Sequence, residues 1–140
     1  MIKEYIPYWE KNKGKLENYL KTTEQYCYDS YGELVRLIFM FVINPEMSYG
    51  GYSLNDIHTI DDGNYQGTQI FLAHIDCYQP DIRDYVLASV SYGSCSGCDT
   101  LLSISHYDSG YPDAVQVSEY MTLCLHLFQS MQFLKGEAVD

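Results

Sequence analysis

The hydrophobic and polar positions of this chain change from a helical period to a strand-like period and back. Residues 9–29 place a broken apolar stripe opposite lysines and glutamates, which predicts an amphipathic helix. Residues 31–43 predict a second helix with a nearly continuous apolar face. Ser30 stands three residues ahead of Glu33, the spacing of a capping box, and Pro45 marks the end of this helix.

The middle of the chain has the alternation and the turn residues of β-strands. Short strands are predicted over residues 57–60, 68–75 and 84–92. The turn residues Asp61–Asn64 and Gln79–Asp81 separate them. Strands this close in sequence predict an antiparallel meander.

The C-terminal part returns to helical spacing. Residues 100–105 predict a short helix, and residues 114–133 predict a long helix that is apolar on more than one stripe and should be the most buried. This order of elements predicts one α+β domain over residues 1–140, with two N-terminal helices, a three-stranded antiparallel meander and two C-terminal helices.

The charge of the chain indicates what kind of partner it attracts. The net charge is −11, divided into +1 for residues 1–24 and −12 for residues 25–140. Such a surface repels nucleic acid and membranes and attracts basic proteins, although solubility alone also favours an acidic composition. The chain has fifteen tyrosines, whose apolar rings and polar tips suit interfaces and half-buried positions alike.

Membrane-span and secretory-signal patterns, together with the cysteine count, indicate the cellular compartment of the protein. No apolar run approaches the ~18 residues of a membrane span, and the start lacks the pattern of a secretory signal. Five cysteines, an odd number, agree with reduced thiols. We therefore expect a cytoplasmic protein that contacts no membrane and no nucleic acid directly. Whether it forms a homo-oligomer is left open by the sequence.

Two cysteine-containing pairs have the spacing of a zinc ribbon. His74 and Cys77 form one pair, and Cys95 and Cys98 form the other. If the second and third strands pair as a hairpin, the two pairs lie at opposite ends of it, about 20 Å apart. That distance argues against one shared metal ion.

The Cys-x-x-Cys turn between the third strand and the following helix has other interpretations. A helix N-terminus favours thiolate, which would suit a redox dithiol formed by Cys95 and Cys98, but no thioredoxin-like βαβ unit precedes them. In the structural interpretation, Gly93 and Gly97 allow a tight turn and the thiols are small buried hydrophobes.

Signals of catalysis are missing from the sequence. None of the four histidines lies in a catalytic motif, and His126, in the apolar C-terminal helix, is expected to be structural. No glycine pattern for nucleotide phosphates occurs. We predict no enzymatic activity and no cofactor.

Several strings of residues, between about 55 and 130, resemble small uncharacterised proteins from phages and prophages of Gram-positive bacteria. The string Tyr92–Asp99, Tyr-Gly-Ser-Cys-Ser-Gly-Cys-Asp, is the most distinctive. The matching strings are Asp62–Thr68, Tyr78–Pro80, Asp84–Tyr85, Tyr92–Leu101 and Tyr120–Leu123. The resemblance implies an origin on a mobile element and no particular chemistry.

Binding is therefore the predicted function. We expect an inhibitor that covers a basic, nucleic-acid-binding surface of a host defence protein, as anti-CRISPR and DNA-mimic proteins do. The residues predicted to contact the partner are Asp61, Asp62, Tyr65, Asp108 and Asp113. The alternatives are a metal-binding or redox-active protein that uses the Cys-x-x-Cys turn, and an immunity protein or antitoxin paired with a basic toxin.

Overall fold

A layer of helices covers one face of an antiparallel sheet in the computed structural model of the protein. The structure describes residues 1–48, 50–63, 66–94, 99–105 and 110–134. Helices come first, strands follow, and two further helices precede a short last strand. The mixed helix-and-sheet class predicted from the sequence is confirmed. No described helix has both the length and the apolar character needed to cross a membrane.

The helices follow the predicted apolar stripes, with shorter bounds. They are α1 Ile6–Thr22, α2 Tyr31–Ile38, α3 Thr100–Ser105 and α4 Ala114–Ser130. The predicted helix over residues 9–29 ends early because Thr23 is extended, and a 3₁₀ turn at Gln25–Tyr28 follows. The cap predicted at Ser30 is present, since its hydroxyl accepts the Glu33 N–H at 3.1 Å. A π-helical turn, Phe39–Ile43, continues α2.

The sheet has four antiparallel strands instead of the predicted three. The strands are β1 His58–Asp61, β2 Gly67–His74, β3 Tyr85–Tyr92 and β4 Gln132–Phe133, in the spatial order β1-β2-β3-β4. The β2–β3 hairpin pairs His74 with Tyr85 and Gly67 with Tyr92. The predicted helix over residues 114–133 was too long because Met131, which is buried and extended, turns the chain back onto β3.

One face of the sheet forms the core with the helices. Phe71 and Ala73 of β2 lie beside Ala88 and Val86 of β3, and all four are buried. Trp9 of α1 packs on Phe128 of α4 with ring centroids 5.2 Å apart. The other face carries apolar residues that lie outside the buried core; they are Ile60, Ile70, Leu72 and Leu87. The sheet therefore buries one face in the helix layer.

The most densely buried helix is α2 and not α4 as expected. Five of the eight α2 residues are buried, against six of seventeen in α4. The buried residues of α4 form a stripe at helical spacing, and Val115 is 68% exposed. His126, expected to be structural, is exposed on α4. The apolar composition of α4 therefore predicts more burial than this helix has.

Gly51 lies where the chain passes from the helices to the sheet, and its backbone has a φ of +74°. A Cβ there would lie 2.5 Å from Oδ1 of Asn44. The Asn44 side chain holds Tyr52 by two hydrogen bonds, in which Nδ2 donates to the Tyr52 carbonyl and Oδ1 accepts the Tyr52 N–H. A side chain at Gly51 would therefore displace this clamp.

We expect Gly51→Ala to destabilise the protein more than Gly50→Ala. Both substitutions place a side chain at positive φ, which costs about 1–2 kcal/mol. Only Gly51→Ala also breaks the Asn44 clamp, because a Cβ at Gly50 meets nothing within 4 Å, and this adds about 1 kcal/mol. Urea unfolding of both variants measures the difference, and equal free energies of unfolding would contradict the role of the clamp.

Candidate functional site

A buried carboxylate, Asp99, joins the end of β3 to α2 and α3. Asp99 is 6% exposed and immediately precedes α3. Its Oδ2 accepts the Gly93 N–H at 2.9 Å, and its Oδ1 accepts the Tyr31 hydroxyl at 2.8 Å and the Leu102 N–H at 3.1 Å. Asp99 thus joins the end of β3, the start of α3 and α2 at one point. No local pattern in the sequence indicates this role, because Tyr31 and Asp99 meet only in the folded chain.

An acidic cleft of about 230 Å³ opens beside this junction. It is lined by Asp29, Ser30, Tyr31, Gln69, Tyr92, Asp99, Leu101 and Leu102. Two carboxylates and two phenols are in this lining, and no lysine or arginine is. The burial of Tyr31 raises the pKa of its phenol, which also donates to Asp99, so the hydroxyl remains protonated. The cleft can receive a cationic or hydrogen-bond-donating group.

Asp61 and Asp62, two of the predicted contact residues, stabilise the β1–β2 hairpin. Asp61 accepts hydrogen bonds from the Tyr92 hydroxyl at 2.6 Å, the Gly63 N–H and the Gln69 amide. The pKa of Asp61 is lowered, first by Tyr92, and the pKa of Tyr92 is raised to about 12, first by Asp61. Asp62 accepts the Thr68 N–H at 2.7 Å. Both carboxylates are exposed, but substituting them would disturb the hairpin as well as any contact.

Of the other predicted contact residues, the structure describes Asp113. Asp113 is exposed and caps α4, where its Oδ1 accepts the Gln116 N–H at 2.8 Å and Gln116 accepts the Asp113 N–H. Tyr65 and Asp108 lie outside the described residues. Asp113 therefore has a structural role in addition to its charge.

His74 has both ring nitrogens engaged. Nε2 lies 3.0 Å from Oδ2 of Asp56, and Nδ1 lies 2.8 Å from the Ile75 carbonyl. Both partners are hydrogen-bond acceptors, so they favour the protonated ring, in which both nitrogens donate. The Asp56 carboxylate, followed by the Ile75 carbonyl, raises the pKa of His74. A metal ion at His74 would have to replace one of these acceptors.

The proposed metal ligands do not come together in the described part of the chain. Cys77 is an exposed free thiol whose pKa is raised by partial desolvation and by Asp84. The hairpin pairing places Tyr92 seven residues along β3 from the partner of His74, which is about 23 Å. No group of three or more described His, Cys, Asp or Glu side chains could hold a metal ion. Cys95 and Cys98 lie outside the described residues.

Two exposed tyrosines lie on backbone segments that are hydrogen-bonded to each other. Tyr26 is 58% exposed and Tyr111 is 63% exposed. Each directly follows a residue of a bonded pair, since the Gln25 N–H donates to the Gly110 carbonyl at 3.0 Å. The pKa of Tyr26 is raised, first by the Cys27 thiol and to a smaller extent by Glu24 and Tyr111. We call Glu24, Tyr26, Tyr111 and Asp113 the Tyr26–Tyr111 surface. Its two halves are far apart in sequence, so no local pattern could have indicated it.

We expect Asp99→Asn to destabilise the protein by about 1–3 kcal/mol, because an amide has one acceptor oxygen where the carboxylate uses two. Either the Gly93 N–H or the Leu102 N–H then loses its acceptor. Asp29→Asn is the matched control, since Asp29 lines the same cleft but is exposed. Its expected effect is within about 0.5 kcal/mol. Chemical denaturation compares the two, and equal stabilities would contradict the role of Asp99.

We expect the His74–Asp56 pair to make stability depend on pH in a defined direction. The raised pKa of His74 contributes stability that is fully present below its ordinary value of 6.5 and is lost as the pH rises through the folded value. The lowered pKa of Asp56 contributes stability that is lost as the pH falls through its folded value. NMR titration should give a His74 pKa above 6.5 that falls in Asp56→Asn. A His74 pKa unchanged in that variant would contradict the pairing.

Comparison with known proteins finds no counterpart for this chain. No family model, no curated protein and no solved structure matches it. What the chain binds must therefore be inferred from its own charge, contacts and geometry.

Proposed function

We propose that the protein is a phage-encoded inhibitor that acts in the host cytoplasm. Its target would be a basic, nucleic-acid-binding component of host defence, which it would cover as anti-CRISPR and DNA-mimic proteins do. Binding requires neither catalysis nor a cofactor. The observation that carries the proposal is the arrangement of charge on the described surface.

Positive charge is concentrated at one part of the surface. All lysines of residues 1–134 lie within the first 21 residues, four of them on α1. Beyond α1, the described lysines and arginines are Arg36 and Arg83, and each is already paired with a carboxylate, Glu33 at 3.1 Å and Asp81 at 3.2 Å. The described surface beyond α1 therefore presents carboxylates without an unpaired lysine or arginine. A cationic partner is attracted to such a surface.

The acidic cleft offers a defined place for a basic side chain. Asp29 is exposed at the edge of the cleft, and Asp99 lies within its lining. Asp61 orients Tyr92 and Gln69, which are also in the lining. Because Asp99, Tyr92 and Gln69 are held by hydrogen bonds within the protein, little ordering of these side chains is needed when a cation enters.

We expect partner binding to weaken steeply as salt increases and to compete with nucleic acid. Tagged protein would capture its partner from host lysate at low salt, and binding of the purified partner would then be measured over a salt series, with and without DNA. Carboxylates that replace phosphates on a basic surface displace the same counterions, which explains both effects. An affinity that does not change with salt would overturn the proposal. A captured toxin with no nucleic-acid-binding surface would instead favour the immunity or antitoxin alternative.

Two charge reversals of equal size locate the contact in the same measurement. Asp29→Lys at the cleft should weaken binding by about threefold or more, which corresponds to loss of an exposed charge pair and its replacement by repulsion. Glu17→Lys on α1 changes the net charge equally at an exposed position among lysines, and its effect should be smaller. Equal effects of the two reversals would contradict a contact at the cleft.

A further inference from the structure

We propose that the Tyr26–Tyr111 surface binds an arginine-containing basic segment of the partner. This proposal rests on the proposed function and specifies the chemistry of one contact. It is carried by the exposure of two tyrosines on bonded backbone segments, by the buried hydrogen bonds that join those segments and by the carboxylates two residues away from each tyrosine in sequence.

Gln25, which is 1% exposed, joins the two backbone segments that carry these tyrosines. Its backbone N–H and its side-chain amide both donate to the Gly110 carbonyl at 3.0 Å. Its side-chain oxygen accepts the Tyr120 hydroxyl at 2.7 Å, so α4 fixes the orientation of the amide. Tyr26 and Tyr111 follow directly after the two bonded residues. Their backbone positions are therefore fixed before any partner arrives.

The Tyr26 and Tyr111 side chains are exposed to solvent in the folded protein. In Tyr28 and Tyr120, by contrast, the rings are buried and pack edge to face with centroids 5.0 Å apart. Exposed tyrosine on a fixed backbone is the type of residue that contributes most to binding, because few side-chain torsions must be ordered. The Tyr26–Tyr111 surface is therefore suited to binding, because little side-chain conformational entropy is lost when it is ordered.

The carboxylates of Glu24 and Asp113 favour a cationic partner. Glu24 acts electrostatically on Tyr26, and Asp113 lies two residues beyond Tyr111 at an exposed helix cap. A second copy of this chain would bring like charges together at this surface, which disfavours self-association there. A guanidinium can stack on a tyrosine ring and pair with a carboxylate at the same time, whereas an ammonium is more strongly hydrated and less suited to stacking. Arginine therefore fits the surface better than lysine.

The test uses a short fluorescent peptide in which arginine alternates with glycine and serine, and a counterpart with lysine. Fluorescence anisotropy at fixed low salt measures binding to the full-length protein. Combining Tyr26→Ala with Tyr111→Ala should weaken binding of the arginine peptide by about fivefold or more, and binding of the lysine peptide by less. Combining Tyr26→Phe with Tyr111→Phe keeps the rings and should stay within about twofold of the unsubstituted protein.

Tyr78→Ala is the matched control for general charge and exposure. Tyr78 is 94% exposed and stands between the exposed Asp76 and Asp81, but no comparable buried amide joins it to a second tyrosine among the described residues. Its removal should change binding by less than about twofold. An equal loss in Tyr78→Ala, no loss in the double alanine variant, or equal losses for both peptides would overturn the proposal. If the double alanine variant retains full, salt-sensitive binding, this surface is excluded while the proposed function stands.

Discussion

A buried tyrosine needs a polar partner for its hydroxyl, and this requirement organises the core of the protein. The buried tyrosines of the described chain are Tyr5, Tyr28, Tyr31, Tyr52 and Tyr120, and each has such a partner. Tyr31 reaches Asp99, and Tyr120 reaches Gln25, across 68 and 95 residues of sequence. The core is thus joined by directional bonds as well as by apolar contact. These bonds determine where the loops around the sheet can lie.

The same requirement changes the meaning of the tyrosine excess. Composition suggested interfaces or half-buried positions, but five tyrosines of the described chain are buried and hydrogen-bonded. Tyr26, Tyr78 and Tyr111 are strongly exposed, and Tyr26 and Tyr111 lie on backbone segments joined by the hydrogen bonds between Gln25 and Gly110. The proposed interface therefore depends on the position of these two residues. The hydrogen bonds that place them belong to the core network of Gln25 and Tyr120.

Local signals in the sequence were enough for most elements and insufficient for the candidate site. The period of apolar residues located four helices and three strands, because side chains alternate with the geometry of each element. The strand β4 was missed because its pairing with β3 depends on Met131, which continues the helical pattern of α4. Asp99 was missed because its partners, Tyr31 and Gly93, meet only in the folded chain. Conversely, Asp61 and Asp62 were expected to be free for contact, whereas neighbouring backbone and side chains already use them.

The placement of five of the six lysines within the first 21 residues has a consequence before any contact forms. Because four of these lysines lie on α1 and carboxylates are in excess beyond it, the described part of the molecule has an electric dipole with its positive end at α1. In the field of a basic surface, such a dipole rotates so that its positive end points away. The protein would arrive already oriented, with α1 facing solvent in the encounter complex. That helix would then remain accessible after binding, which makes it the natural place for a label or a fusion partner.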